Sequence, residues 1–229
     1  MKEIRRGYER KDEKEFIESI DILKTASEEI QFLIDRNYPL SNAVEFVGNH
    51  HLLSKRQRNG LSRSLDSTEK IEARKSKEIK DPENRFFYMD GFNTLITLEV
   101  YYSNSLILLG KDGCYRDLAG LRGNYRICDK TIIAMERMMD ELKDMKIKGV
   151  LIYLDAPVSN SGNLAALFRE MGKDLPLIVE LVPVADPLLY NKENVITSDS
   201  VILDRCKSWF NFNGRIIRKT GENFIVKIR

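Results

Sequence analysis

From residue 12 to about residue 65, apolar residues recur at three- and four-residue steps. Phe16, Ile20, Leu23, Ile30, Leu33 and Ile34 form a stripe that predicts an amphipathic helix. Tyr38-Pro39 breaks it, because the residue before a proline is pushed away from helical backbone. Ser41 is the expected N-cap of a short helix whose apolar positions include Ala43, Val44, Phe46 and Val47, with Gly48 near its end. Ser54 is the expected cap of a further helix over KRQRNGLSRSL, although Gly60 within it opposes helix by about 1 kcal/mol.

The pattern changes twice more. Residues 66–84 mix charges, have almost no apolar content and end at Asp81-Pro82, as a linker or an exposed helix would. From residue 85 onward, apolar runs alternate with helical periodicity. FFYMD, SLILLG, GVLIYLD, PLIVELVPV and NVIT read as strands, and helices are expected from about residue 92 to 102, over 129–145, over NLAALFREM and after Asp199. Such alternation predicts an α/β domain with a mainly parallel sheet covered on both faces. The tail FNGRIIRKTGENFIVKIR reads as a hairpin turning at Thr220-Gly221. The expected organisation is therefore a helical, helix-turn-helix-like region at 1–65, a charged linker at 66–84 and an α/β domain with a C-terminal extension at 85–229.

With 42% hydrophobic and 31% charged residues in 229, the chain has the composition of a globular protein that can bury a core. Its formal charge of +2 is too small to argue for nucleic acid by itself. The placement of the charge says more, since Lys55, Arg56, Arg58 and Arg63 follow one another without an intervening acid. On a short helix they suit phosphates or a nucleic-acid groove, or else a solvated face. Cys114, Cys128 and Cys206 are too far apart for a close-spaced zinc cluster and suggest a reducing compartment. The beginning of the chain is charged throughout, and no run is long and apolar enough to span a bilayer, so the expectation is a cytoplasmic protein with no membrane partner.

The candidate chemistry lies in three acids. Asp90 follows FFYM, Asp155 follows GVLIYL and Asp199 follows NVITS, each at the carboxyl end of an expected parallel strand, where open α/β sheets bind ligands. Converging carboxylates repel one another, and Mg²⁺ or Mn²⁺ resolves that conflict. A turn or a helix cap is the simpler role for any one of them. Asn93 either reaches the same crevice or caps its own turn. Glu99, two turns further along, is a candidate ligand or a polar face residue, and Asp117 either adds a carboxylate or orients Arg116.

The loop GKDGCYRDLAGLRGNYR offers Arg116, Arg122 and Arg126 to phosphate, and PVSNSGNLA offers Ser159 and Ser161 ahead of a helix N-terminus. Neither GxxxxGK[ST] nor GxGxxG occurs. His50 and His51, the only histidines, lie far in sequence from these acids, and no serine or cysteine has an evident histidine partner for a triad.

At DGFN, LDAPVSNSG and TSDSVI the chain resembles the PIN-like and NYN superfamily of metal-dependent ribonucleases. Across YPLSNAVEFVGNHHLLSKRQRN and GCYRDLAGLRGNYR it is similar to a largely archaeal group that joins a DUF434-type region to a PIN-like domain. The resemblance implies a PIN-like three-layer α/β sandwich preceded by a small all-helical domain. It further implies Mg²⁺- or Mn²⁺-dependent endoribonuclease activity. Asp90 matches the first-strand acid, Asn93 its helix-side companion, Asp155 the middle-strand acid and Asp199 the late one. The arginine-glycine insertion departs from the general pattern. RNA is the expected partner, with a homodimer or a larger RNA-processing assembly left open. A noncatalytic RNA-binding or assembly protein and a small-molecule phosphohydrolase are the alternative readings.

Overall fold

The computed structural model describes residues 5–120, 123–221 and 224–228. A π-helical turn, Glu13–Glu18, leads into α1 (Ile20–Ile34), followed by α2 (Leu40–His50), α3 (Lys55–Ser64) and α4 (Thr68–Ser76). The apolar stripe closes as its spacing requires, with Phe16, Leu23, Ile30 and Ile34 buried together against Val44, Val47 and Leu61. Pro39 rather than Ser41 caps α2, and the Ser41 hydroxyl donates instead to Asn42 Oδ1. Ser54 does cap α3. Its hydroxyl accepts from Gln57 N at 3.1 Å while Gln57 Oε1 accepts from Ser54 N at 2.9 Å, so two otherwise orphaned donors are satisfied reciprocally. The helix runs through Gly60 because the Phe16 ring lies where a side chain would be, 2.7 Å from an ideal Cβ.

Four parallel strands form the main sheet in the order β5 (Leu177–Val182), β4 (Gly149–Asp155), β1 (Phe86–Asp90) and β6 (Val195–Ile196). Strand alternation divides its side chains between two cores. Phe87, Met89, Val150, Ile152 and Leu154 face α5 (Gly91–Tyr102), α6 (Asp129–Asp144), α7 (Ser161–Met171) and α10 (Phe212–Thr220). Tyr88, Leu151 and Tyr153 face α8 (Asp186–Leu189), α9 (Ser200–Arg205) and the buried Trp209. Helices thus pack on both faces of the sheet, and only the edge strand β5 leaves apolar residues, Ile178 and Leu181, exposed.

A second sheet, β3–β2–β7, consists of Tyr115–Asp117, Ile107–Leu109 and Ile225–Lys227. Leu108 and Val226 complete the apolar core of the N-terminal helices, whereas Ile107 and Leu109 enter the core of the main sheet. This small sheet is a wall shared by both cores. Two expectations are corrected here. Part of the loop after SLILLG is strand β3, antiparallel to β2. The C-terminal tail is α10 followed by β7 parallel to β2, and not a hairpin. The Thr220-Gly221 signal marks a real stop, with Gly221 at φ +113°, but what it ends is a helix.

Charge ties residues 66–84 to the rest of the fold. Arg74 on α4 is 2% exposed, and its guanidinium meets Asp66, Asp112 at 3.1 Å and Asp204 at 2.5 Å. Trp209 Nε1 donates to Arg74 O at 2.7 Å.

Candidate active site

Asp90 ends β1 and caps α5, with Oδ1 accepting from Asn93 N at 3.3 Å. Its other oxygen accepts from Thr197 Oγ1 at 3.1 Å. Asn93 reaches across from α5 to the turn after β6, where its Oδ1 accepts from Ser198 N at 2.8 Å and Ser198 Oγ at 2.9 Å. Asp199 follows and caps α9, its Oδ1 accepting from Val201 N at 2.8 Å and Ile202 N at 3.2 Å. Asp155 ends β4 and accepts from Ala185 N at 2.8 Å. Each acid therefore has a capping or turn role, and each also stands at the carboxyl end of the sheet.

A fourth acid joins them. Asp186 begins α8, just beyond β5, so every strand of the parallel sheet is closed by an aspartate. β1 and β6 flank the point where the chain's crossovers change sides, the position at which such sheets bind ligands. Electrostatics links the group. Burial, with Asp90 6% exposed, pushes its carboxyl up to about 7; the Asn93 and Thr197 hydrogen bonds oppose this, and Asp186 and Asp199 add to it. Burial and then Asp199 and Asp155 also raise Asp186. The sequence reading passed over Asp186, although it follows its strand by a short turn just as Asp199 does, so the rule that found the other acids applies to it.

These groups suit a hard divalent cation. Asp90 is a buried carboxylate with two hydrogen bonds but no cation paired to it among the described residues, and its neighbours add negative charge. Among the described residues no three His, Cys, Asp or Glu side chains are gathered into a ready-made cage. Mg²⁺ does not require one, since it commonly keeps several waters and takes one or two carboxylates together with substrate phosphate.

The remaining candidates divide between interior and surface. Glu99 is fully buried, 2.7 Å from Arg6 Nε, and accepts from Tyr125 OH at 2.5 Å and from Thr131 Oγ1, away from the strand-end aspartates. Burial raises its pKa despite Arg6. Asp117 accepts from Thr97 Oγ1 at 3.1 Å and Ala119 N at 2.8 Å, bracing α5 rather than orienting Arg116. Arg116 is itself buried, gripping Asp112 through bonds of 2.9 and 2.6 Å and donating from Nε to Ser198 O at 2.8 Å. It thereby props the turn that carries Asp199.

Arg56 turns inward to Asp12, Leu118 O and Gly7 O, and Arg58 to Leu53 O, Gly48 O and Asn49. Lys55, Arg63 and Arg126 are exposed. Ser159 is exposed, whereas the buried Ser161 donates its hydroxyl to Ala156 O at 3.0 Å. Arg122 lies outside the described residues. A cavity of about 380 Å³ separates α3 from the turn after β6, with Arg63 on one wall and Asp199 on the other.

Residues 79–215 match the family model described as "Domain of unknown function (DUF5616)". The chain belongs to the DUF5616 family. Ahead of that region, residues 22–77, which run from the first turn of α1 to just past α4, match "Protein of unknown function (DUF434)". The chain is also 40% identical over 185 residues to "Uncharacterized protein MJ0935" of Methanocaldococcus jannaschii, an alignment covering 79% of this chain and 88% of the archaeal protein. No solved structure matches. The DUF5616 match takes in β1 to β6 and with them all four strand-end aspartates. No helix among the described residues is long and apolar enough to cross a membrane.

Proposed function

We propose that this chain is a Mg²⁺- or Mn²⁺-dependent endoribonuclease whose C-terminal α/β part is PIN-like. The observation that carries the reading is the set of four aspartates closing β5, β4, β1 and β6, with the buried Asp90 raised to about 7. Asp90 and Asp199 would hold the cation nearest the β1–β6 junction, with Asp155 and Asp186 at its rim. A divalent cation there supplies Lewis-acid stabilisation of phosphoryl oxygens and makes bound water more acidic.

The chain's own residues do the rest. Thr197 and the Asn93 backbone fix the Asp90 carboxylate, and the Asn93 side chain locks the turn that presents Asp199. Arg116 holds that turn from behind through Ser198 O. Such preorganisation keeps acceptors in place so that little rearrangement accompanies reaction.

The test is cleavage of a 5′-labelled RNA with Mg²⁺, Mn²⁺ or chelator present, by wild type and Asp90→Asn. The reading predicts metal-dependent cleavage that falls at least about 100-fold in the variant, the scale of losing a preorganised charge at a reacting centre. RNA that wild type binds but leaves intact would favour the noncatalytic RNA-binding or assembly reading. Hydrolysis confined to small phosphorylated compounds would favour a phosphohydrolase.

A further inference from the structure

The inward commitments of Arg56 and Arg58 leave a specific face of α3 in solvent. Asn59, Ser62 and Arg63 are exposed and spaced three and four residues apart, so they lie together on the helix, and Lys55 extends that face by one turn. Helix rotation is fixed by the Ser54–Gln57 capping box and by the Phe16 ring against Gly60. Asn59, Ser62 and Arg63 form one wall of the 380 Å³ cavity, and Ser198, Asp199 and Ser200 form another. The buried Arg116 also lines it, with three of its N–H groups already taken by Asp112 and Ser198 O.

Two features of this cavity point to a ligand. Arg63 makes no ion pair among the described residues, although the Asp199 carboxylate borders the same space. An unpaired guanidinium there suits the anionic group of a molecule that also reaches the acids, and its planar fork of donors matches phosphate. The size is the second feature. The volume lies near the low end of the roughly 300–1,000 Å³ of small-ligand clefts, room for one nucleotide but not for both strands of a duplex. Hydroxyls and an amide on the walls offer partners to a ribose 2′-OH and to the edge of an unpaired base, the groups by which single-stranded RNA is read.

We infer that this cavity seats one nucleotide of a single-stranded RNA, with Arg63 binding its phosphate and the strand running on to Asp199. The seat rests on the RNA reading proposed above and narrows it. The helical region becomes part of the substrate site, and the gripping cation comes from the outward face of α3 rather than from Arg56, Arg58 or Arg116.

The experiment is fluorescence anisotropy with a labelled single-stranded RNA ten-mer in chelator, so that binding is read without cleavage. Arg63→Gln weakens binding about tenfold and lowers the slope of log affinity against log salt by about 1, as loss of one phosphate contact does. Lys173→Gln removes the same charge from an exposed site beyond α7 and leaves affinity unchanged. An unlabelled duplex of equal length competes poorly. Equal binding by Arg63→Gln and wild type would overturn the seat, as would equal competition by duplex. If wild type cleaves RNA in Mn²⁺ yet Arg63→Gln binds normally, the seat alone fails. If Arg63→Gln binds poorly and wild type cleaves nothing, the seat stands and the nuclease reading fails. No binding by wild type overturns both.

Discussion

Asn93 Oδ1 accepts from the Ser198 backbone nitrogen at 2.8 Å, stitching the first turn of α5 to the turn after β6. Residues 105 apart in sequence are thereby held in one geometry, and the two aspartates beside them share it. Ser198 is buried, so removing its acceptor leaves an N–H unsatisfied. Asn93→Ala is expected to lower stability by about 1–3 kcal/mol, measured by urea denaturation. RNA cleavage at saturating substrate should fall further than that loss explains, because the turn that presents Asp199 keeps its Arg116 tie but loses the one to α5.

Asp90 makes stability depend on pH with a definite sign. Burial raises its folded-state pKa to about 7, well above the ordinary carboxylate range, so the folded protein keeps a proton that the unfolded chain releases. In chelator, wild-type stability should decline as pH rises from about 4 to about 7 and flatten above. The contribution is at most ~4 kcal/mol across that window. Asp90→Asn lacks this decline, so its stability relative to wild type rises over the same interval. Denaturation midpoints at several pH values for both proteins measure it, and parallel curves would show that Asp90 ionises normally.

Gly60 offers a test in which local propensity and packing disagree. On an exposed helix, Gly→Ala stabilises by about 1 kcal/mol. Here the new Cβ would meet the fully buried Phe16 ring at 2.7 and 3.1 Å. Gly60→Ala should therefore destabilise by about 1–3 kcal/mol, the scale of overpacking, read from its denaturation midpoint.

The Asp112 carboxylate receives both Arg116 and Arg74 in the interior. Burial alone would raise its pKa, but the two guanidiniums and the Cys114 N–H hold it below the usual range. Its contribution is present above the unfolded value near 4 and is lost as pH falls through the folded one. Asp112→Asn leaves two buried cations short of their counter-charge and should cost about 3–5 kcal/mol near neutral pH. The difference from wild type should shrink as the pH is lowered below 4.

The parallel sheet was legible because FFYMD, GVLIYLD and PLIVELV are apolar runs with helical periodicity between them; β1 and β4 are largely buried on both faces, whereas the edge strand β5 leaves Ile178 and Leu181 exposed. Asp90, Asp155 and Asp199 could be read because each follows its strand directly or by a short turn. What the pattern hid was tertiary. Three residues, Tyr115 to Asp117, pair with β2 inside a loop rich in glycine and charge, and no local periodicity announces so short a strand. The tail's alternation resembled a hairpin, yet Phe212, Ile216 and Ile217 pack as one helical face on the main core. Arg56 and Arg58 look from sequence like surface cations. Their inward turn depends on Asp12 and on the carbonyls of Gly7, Gly48, Leu53 and Leu118, which only the folded chain brings to them.

The most direct test of the strand-end acids is calorimetric titration of Mn²⁺ into wild type, Asp90→Asn and Asp186→Asn at pH 8, where Asp90 is ionised. The account predicts saturable binding by wild type, weakened at least about tenfold in Asp90→Asn and less in Asp186→Asn, with proton release appearing as the pH is lowered toward 7. Binding of equal strength in all three proteins, or none in wild type, would contradict it.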